Sequence, residues 1–329
     1  MNPFSESQKK VLAALIENDG DVSRAASHIG VSKQYIYEVI RRLREKGITF
    51  HANPIFRTLG LTPVFVQAPR SDMASLPYTK YIAVSGDVVS LNGTPLRFTI
   101  YTFPSDKLDY LYQNLPRNAT TCELYDFTQP KPWIKFQEFV HRGLRGDYGE
   151  WRPEPLSKTQ LDDLDLYIIR ELQGNFFKHL KNIAKERGIN KSTLSYHFRR
   201  HVKWLLRFRV QYVPKDLETF PPLFAKIRLL DRNVYSLLLR VDFIQILMPS
   251  SEGDMCYAIL DVPSHEVWAI VRCLSDLRDR GLLEMELLGF FETGYPRFSP
   301  LPIELYLSLI HISEPTRPRL ISYAVFCLK

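Results

Sequence analysis

Residues 25–43, AASHIGVSKQYIYEVIRRL, contain the pattern of two short helices joined at a glycine. Ala26 is small where two helices cross closely, Gly30 tolerates the positive φ of a tight turn, and Ser32 can cap the following helix through its hydroxyl. The apolar residues of the second helix share one stripe, which consists of Ile36, Val39, Ile40 and Leu43. The stretch therefore predicts a helix-turn-helix.

The outward face of the second helix is polar and mostly cationic. Amide and guanidinium groups suit a DNA major groove, where they can pair with base edges and phosphates. An ordinary amphipathic helix with a solvated charged face is the alternative, but alanine, glycine, cap and stripe all occur at the offsets of the motif. We expect Lys33, Gln34 and Tyr37 to contact bases and the two arginines to contact phosphates. The candidate DNA-binding residues here are Ser32, Lys33, Gln34, Tyr37, Glu38, Arg41 and Arg42.

The composition bounds the class of protein. With 329 residues, of which 45% are apolar, the chain is long enough for two or more cores. We expect a cytoplasmic location, because no run of about 18 apolar residues could span a membrane and no secretory segment follows Met1–Phe4. The four cysteines lack the spacing of metal ligands or of a disulfide framework, so we expect no metal and no cofactor. The net charge of +7 is compatible with nucleic acid but does not demonstrate it.

The last residues differ in character from the rest of the chain. Residues 307–317, LSLIHISEPTR, resemble the conceptual translation of a transposase sequencing adapter, and residues 321–329 resemble the adapter end that follows it. We therefore interpret 307–329 as an adapter-derived artefact and leave it out of the fold. Its removal takes away three basic residues and one acidic residue, so the net charge falls from +7 to +5. The natural gene is expected to continue beyond Tyr306.

The first half of the chain divides into two domains and a linker. Residues 1–58 contain the helix-turn-helix and end in Thr49–Arg57, a short, partly β-branched run broken by Asn53-Pro54, which predicts a two-stranded wing. Residues 59–141 have the order βαββαβ of a ferredoxin-like domain, with a short first helix at Ser71–Leu76. Residues 142–158 are rich in glycine, proline and charge, which predicts a linker.

After the linker the whole pattern recurs. The residues that pair at near-constant spacing include Ala26 with Ala184, Gly30 with Gly188, Ser32 with Asn190, Arg41-Arg42 with Arg199-Arg200 and, one residue out of phase, Phe65 with Phe224. This spacing predicts a tandem duplication, with a second winged helix-turn-helix at 159–213 and a second, truncated ferredoxin-like domain at 214–306. The predicted fold class is α+β, a tandem repeat of winged helix-turn-helix and ferredoxin-like βαββαβ domains.

The second motif keeps a polar outward face. Its candidate DNA-binding residues are Asn190, Lys191, Ser192, Ser195, Tyr196, Arg199 and Arg200, with Lys191, Ser192 and Ser195 expected at bases and the arginines at phosphates. Arg187 and His197 replace Ile29 and Val39 near the packing face. There we expect partly buried, hydrogen-bonded or solvent-reaching residues and no ligands. Three aspartates, Asp162, Asp163 and Asp165, open a helix, where they favour its dipole over a metal site.

This order of domains is similar to that of the Lrp/AsnC (feast/famine) transcriptional regulators, in the archaeal form. Leu43–Ile48 followed by Leu59-Gly60 resembles the passage from the recognition helix into the effector domain of that family. Gly253-Asp254 before Met255–Asp261 resembles the pair that opens the third effector strand. The first copy departs from this pattern, with Asn92-Gly93 at the corresponding place.

The resemblance implies a sequence-specific transcription factor whose effector sheets pair and bind an amino acid or another small effector. Most members carry one pair of domains, so two sheets in one chain predict an intrachain pseudo-dimer, with homo-oligomers as a further expectation. Double-stranded DNA is the expected partner, with half-sites about one helical turn apart and no membrane involved. We expect the two half-sites to differ, because the two outward faces differ.

Two other functions stay open. Siroheme decarboxylases also resemble fused winged-helix and Lrp-type units, but Tyr81–Arg97 lacks the His-Asn-Tyr and Trp-Phe pattern of that group, and His141 and His265 are the nearest candidates for a tetrapyrrole site. The winged helices could instead bind protein through tyrosines such as Tyr37 and Tyr196. General enzymatic activity has little support, because no phosphate-binding loop, metalloprotease motif or nucleophile elbow is present. We therefore expect that the protein is not an enzyme.

Overall fold

The computed structural model describes residues 4–73, 76–125, 142, 145–146, 161–212, 221–239, 241, 244–262, 267–292 and 296–302. Helices alternate along these residues with strands of a mostly antiparallel sheet. The α+β class predicted from the sequence is thereby confirmed. Most of the predicted linker at 142–158 and the whole of 307–329 lie outside the described residues.

The first half opens with three helices and continues into a sheet. Ser5, Asp21 and Ser32 each accept backbone N–H groups at a helix start, and Gly30 ends the second helix at a φ of +70°. Residues 70–73 are turns, so the predicted helix at Ser71–Leu76 does not begin there. The elements are α1 (Glu6–Glu17), α2 (Val22–Ile29), α3 (Lys33–Glu45), β1 (Ile48–Pro54), β2 (Leu61–Pro69), β3 (Ile82–Ser90), β4 (Pro95–Pro104), α4 (Leu108–Gln113) and β5 (Thr120–Glu123).

The second half follows the same order, with a changed third helix, an additional helix between its first two sheet strands and an additional last strand. Gly188 has the same φ of +70° as Gly30, but the third helix runs into a π turn at Phe198–Val202 and a 3-10 turn at Lys203–Leu205. The elements are α5 (Asp163–Gly174), α6 (Leu180–Arg187), α7 (Lys191–His197), β6 (Leu206–Tyr212), β7 (Leu223–Leu229), α8 (Val234–Leu238), β8 (Ile244–Pro249), β9 (Met255–Leu260), α9 (Val267–Asp279), β10 (Leu283–Phe291) and β11 (Arg297–Phe298).

The predicted two-stranded wing at Thr49–Arg57 is wrong. The run forms the single strand β1, which ends at Pro54 and is followed by a 3-10 turn at Phe56–Leu59. β1 pairs antiparallel with β6 of the other half, from Ile48 opposite Tyr212 to Pro54 opposite Leu206. Proline is tolerated because it is the last residue of a strand in a two-stranded sheet, where its missing N–H costs little. The strand after each helix-turn-helix therefore joins the two halves.

The β1–β6 pairing follows an approximate two-fold relation. His51 lies opposite Arg209, and residue 209 is also the position that corresponds to residue 51 in the repeat. Because corresponding residues face each other, the two strands are related by an approximate two-fold axis. Phe208 of β6 packs into the core of α1–α3, while Ala52 of β1 packs into a core that includes α5. Each strand thus completes the hydrophobic core of the opposite half, and neither helical unit buries its core alone.

His51 makes this junction sensitive to pH. Its Nδ1 lies 2.7 Å from the carbonyl oxygen of Gln173, and desolvation, opposed by that bond and aided by Arg209, lowers the pKa of the imidazole below 6.5. When the pKa of a histidine is lower in the folded chain than in the unfolded chain, its contribution to stability is fully present at a pH above the unfolded pKa. The contribution is lost as the pH falls through the pKa of the folded chain. We expect acidification from about pH 7.5 to about pH 5.5 to lower the thermal midpoint more in the wild type than in His51→Gln. Equal pH slopes in the two proteins would contradict this assignment.

The other strands form one sheet of nine strands in the order β5-β2-β4-β3-β10-β7-β9-β8, with β11 added to β3. When the four strands of each half are numbered along the chain, both halves have the order fourth, first, third, second. The halves join where Gly289 of β10 lies opposite Ser90 of β3. At the opposite edges, Leu124 forms a bridge with Ser250, so the two halves also meet there.

Aromatic rings fill the space between the two halves of the sheet. Phe65 stacks on Tyr257 at a centroid distance of 3.9 Å, and their repeat equivalents Phe224 and Phe98 stack at 4.9 Å. Gly86 lies beside these rings, and a Cβ atom there would come within 2.7 Å of Phe98. The helices α4, α8 and α9 cover the outer faces through separate apolar clusters. The repeat seen in the sequence therefore corresponds to matching contacts across the interior.

Candidate nucleic-acid interface

The outward residues of α3 point to solvent. Lys33, Gln34 and Arg41 are exposed, and Tyr37 keeps 46% of its surface accessible. The apolar stripe predicted for this helix, from Ile36 to Leu43, is buried. Ser32 accepts the backbone N–H of Tyr35 at 3.1 Å, which fixes the start of the helix. The structure therefore brings the first set of predicted residues together on one accessible face.

The two arginines of this face are paired within the helix. Arg41 donates from Nη1 to Oε1 of Glu45 at 2.6 Å, and Arg42 donates to Glu38 one turn earlier. Both pairs are solvent-exposed, so each contributes only about 0.3–0.5 kcal/mol. A phosphate could replace either carboxylate at little cost. The sequence placed Glu38 at the DNA surface, whereas the structure gives it the role of holding Arg42.

The second face carries its cations without such partners. In the part of the chain that the structure describes, no carboxylate lies within ion-pair distance of Arg199 or Arg200. These arginines, together with Ser192, Ser195 and the 60% exposed Tyr196, line an open groove of about 590 Å³. Asn190 caps α7 by accepting the N–H of Ser192 at 2.9 Å. The second set of predicted residues is thus also collected on one face.

A smaller groove, which was not predicted from the sequence, flanks α3. The groove measures about 280 Å³ and separates α3 from the segment that leads into α6. Arg44 donates to Oδ1 of Asn175 at 2.7 Å across its floor. Polar residues from the other half stand beside the first motif, namely Asn175, Lys178, His179 and Asn182. These residues could not be predicted from the sequence, because Arg44 and Asn175, which join the two sides of the groove, are 131 residues apart in the chain.

The two unusual residues of the second motif have different environments. Arg187 is exposed and stacks over the ring of Tyr167 at 4.9 Å. His197 is 16% exposed in its side chain, and its Nδ1 lies 2.9 Å from Oδ1 of Asp165. The expectation of a partly buried, hydrogen-bonded residue is therefore met by His197, whereas Arg187 is exposed and its guanidinium lies over an aromatic ring.

The aspartates at the start of α5 act as helix-start residues, as predicted. Asp162 accepts the N–H groups of Leu164 and Asp165, and Asp165 in turn accepts the N–H of Asp162 at 3.2 Å. Asp165 differs from its neighbours because it is only 1% exposed and also contacts two histidines. The second histidine, His201, was not singled out in the sequence, although its spacing of four residues from His197 places both on one helix face.

Two histidines considered in the sequence analysis lie outside the described residues. His141 and His265, the candidates for a tetrapyrrole site, are not among them. Within the described part of the chain, no helix combines the length and apolar character required to cross a lipid bilayer. Comparison with protein-family models, with curated proteins and with solved structures gives no match.

Proposed function

We propose that the protein is a sequence-specific DNA-binding transcriptional regulator. The observation that carries the proposal is the exposure of two capped helices whose outward faces bear the predicted lysine, glutamine, serine and arginine side chains. Had Lys33, Gln34 and Arg41 packed against the sheet, the proposal would have failed.

The junction between the halves supports binding by both helices at once. The β1–β6 pairing relates the two helix-turn-helix units by an approximate two-fold relation, and operators read by such units have matching half-site symmetry. We infer an intrachain pseudo-dimer on a site with two half-sites. These should differ, because α3 carries Gln34 and Tyr37 where α7 carries Ser192 and Ser195.

The sheet supports the finer fold assignment and the resemblance to Lrp/AsnC regulators. The strand order fourth, first, third, second in each half is the order of a ferredoxin-like βαββαβ unit, with helices on one face. On this proposal the paired αβ units serve as the effector domains, and an amino acid is the effector class to test first. On this proposal, the paired strands β1 and β6 take the place of the two-stranded wings of the two helical units.

The decisive experiment selects bound sequences from a random DNA pool, with and without amino acids. The preferred sequence is then footprinted. We expect one preferred sequence with two unequal half-sites about one helical turn apart in a single footprint per chain. Affinity should fall steeply with salt, because each phosphate contact releases counterions. Salt-independent binding, or binding only to a protein, would favour the alternative that the winged helices bind protein through tyrosines such as Tyr37 and Tyr196.

Gln34 should determine base preference at one position of the first half-site. A glutamine side chain can pair with adenine in the major groove, and such a pair gives about 1–3 kcal/mol of discrimination. We expect Gln34→Ala to remove the preference at that position and to leave the salt dependence unchanged. Repeating the pool selection with Gln34→Ala and with the exposed control Gln113→Ala tests this. An unchanged preferred sequence would exclude Gln34 from base contact.

A further inference from the structure

Three side chains with metal-binding groups meet between α5 and the end of α7. Nδ1 of His197 lies 2.9 Å from Oδ1 of Asp165, and Nδ1 of His201 lies 3.0 Å from Oδ2 of the same carboxylate. Oδ2 of Asp162 lies 3.5 Å from Nδ1 of His197, on the solvent side of the cluster. One donor atom from each of Asp165, His197 and His201 lies within 4.8 Å of the others. We call these four residues the Asp–His cluster.

The first half shows which residues occupy the corresponding helix contact when they serve packing alone. At the positions equivalent to the two histidines, α3 carries Val39 and Leu43, which are both buried in an apolar core. The residue that corresponds to Asp165 is the neutral Gln8. Both are the third residue after the N-cap, where each accepts a hydrogen bond from the backbone N–H of the N-cap residue. A buried carboxylate with two imidazoles costs desolvation that an apolar pair does not. The second half therefore replaces a sufficient packing solution with a polar one that packing does not explain.

The helix geometry aims both histidines at one point. Residues four apart lie on the same helix face, which is a common arrangement for two histidine ligands. The π turn at Phe198–Val202 begins directly after His197 and contains His201. The two rings have centroids 5.3 Å apart, and both present Nδ1 to the same carboxylate. π turns of this kind occur frequently at functional sites.

The distances match the edges of a tetrahedral coordination shell. Zinc bonds of about 2.0–2.2 Å to nitrogen and oxygen place neighbouring ligand atoms about 3.4 Å apart. The N–O separations in the cluster run from 2.9 to 3.5 Å, so small rotations would open room for an ion. His197 and His201 retain 16% and 30% of their side-chain exposure, which leaves a path for entry.

We propose that the Asp–His cluster binds one divalent transition-metal ion of the zinc class. Imidazole nitrogens with carboxylates suit zinc, cobalt(II) or nickel(II), whereas magnesium and calcium prefer oxygen ligands alone. Two carboxylates balance the charge of the ion. In each neutral imidazole the proton moves from Nδ1 to Nε2, so that the lone pair of Nδ1 can bind the ion. This change of tautomer releases no proton, so metal binding needs no other reactant. The ion would fix the second DNA-reading helix α7 to α5.

Metal binding is tested on the full chain, without DNA, after treatment with a chelator. We expect cobalt(II) to bind at one ion per chain with visible absorption bands, zinc to displace it, and both ions to raise the thermal midpoint. His201→Gln and Asp162→Asn should each weaken binding by about 100-fold or more, because the loss of supporting residues alone costs about 10–100-fold. His179→Gln, an exposed histidine of the same half, should bind like the wild type.

Far-UV circular dichroism checks that each variant is folded, and Asp162→Asn alters a side chain that is 56% exposed, so it tests the site even if His201→Gln unfolds. Failure of cobalt(II) and zinc to bind the folded wild type would overturn the proposal, as would binding as tight as that of the wild type by the folded Asp162→Asn and His201→Gln variants. The role in DNA binding rests on the proposed function. A chain that binds zinc but no DNA would refute the proposed function and leave the metal site intact.

Discussion

The double variant Arg199→Ala/Arg200→Ala should bind every DNA sequence about 100-fold more weakly than the wild type. Neither arginine is held by a carboxylate in the described structure, so both are available to phosphates without breaking an ion pair. A hydrogen bond to a charged group contributes about 1.5–3 kcal/mol, and two such contacts account for a loss of this size. The slope of log affinity against log salt should fall by about two.

The measurement is a titration of labelled duplex at several salt concentrations, with specific and unrelated sequences. Arg117→Ala/Arg272→Ala is the matched control, because it removes the same charge from exposed positions outside the helix-turn-helix units. If both double variants lose affinity equally, net charge alone governs binding and the face of α7 is not the contact surface. If only the specific sequence is weakened, the arginines contact bases and their assignment to phosphates is wrong.

Replacing Phe65 by alanine should destabilise the protein by about 3–5 kcal/mol, the range measured for large aromatic residues in cores. Phe65 is fully buried, and its ring contacts Tyr257, Phe224 and Phe98. Two of these partners belong to the other half, so the cavity would open between the halves, where the rigid strands on both sides could not close it. Loss of stacking adds to the loss of burial.

Chemical denaturation followed by tryptophan fluorescence gives the free energy of unfolding. The exposed aromatic Tyr110 provides the control, and Tyr110→Ala should change stability by less than about 0.5 kcal/mol. A cost below about 1 kcal/mol for Phe65→Ala would mean that the interface between the halves is loosely packed. A variant with two separate transitions would show that the halves unfold independently once this ring is removed.

Local signals in the sequence predicted much of the fold. Gly30 and Gly188 marked the two turns, Ser32 marked a helix start, Asn190 was paired with it in the repeat, and the spacing of Phe65 and Phe224 marked equivalent strands. These features depend on neighbours within one or two turns, where propensity and periodicity act. The exposed faces of α3 and α7 were predictable for the same reason.

The errors and omissions lie where distant segments meet. Thr49–Arg57 looked like a hairpin because alternation identifies a strand but not its partner, and the partner is β6 of the other half. The groove between α3 and Asn175 could not be anticipated without knowing how the halves pack. The Asp–His cluster had one usable signal, the pair His197 and His201 at positions where the first copy is apolar.

The pairing of β1 with β6 has a consequence for how the outward faces of α3 and α7, the proposed recognition surfaces, evolve. In a dimer of identical chains every substitution appears twice, so neither recognition surface can change without the other. Here the strand that completes each helical core belongs to the same polypeptide, and a substitution in α7 is not copied into α3. Assembly of the pair is unimolecular and does not depend on protein concentration. Each surface is therefore free to acquire its own sequence preference or ligand while the shared framework is kept.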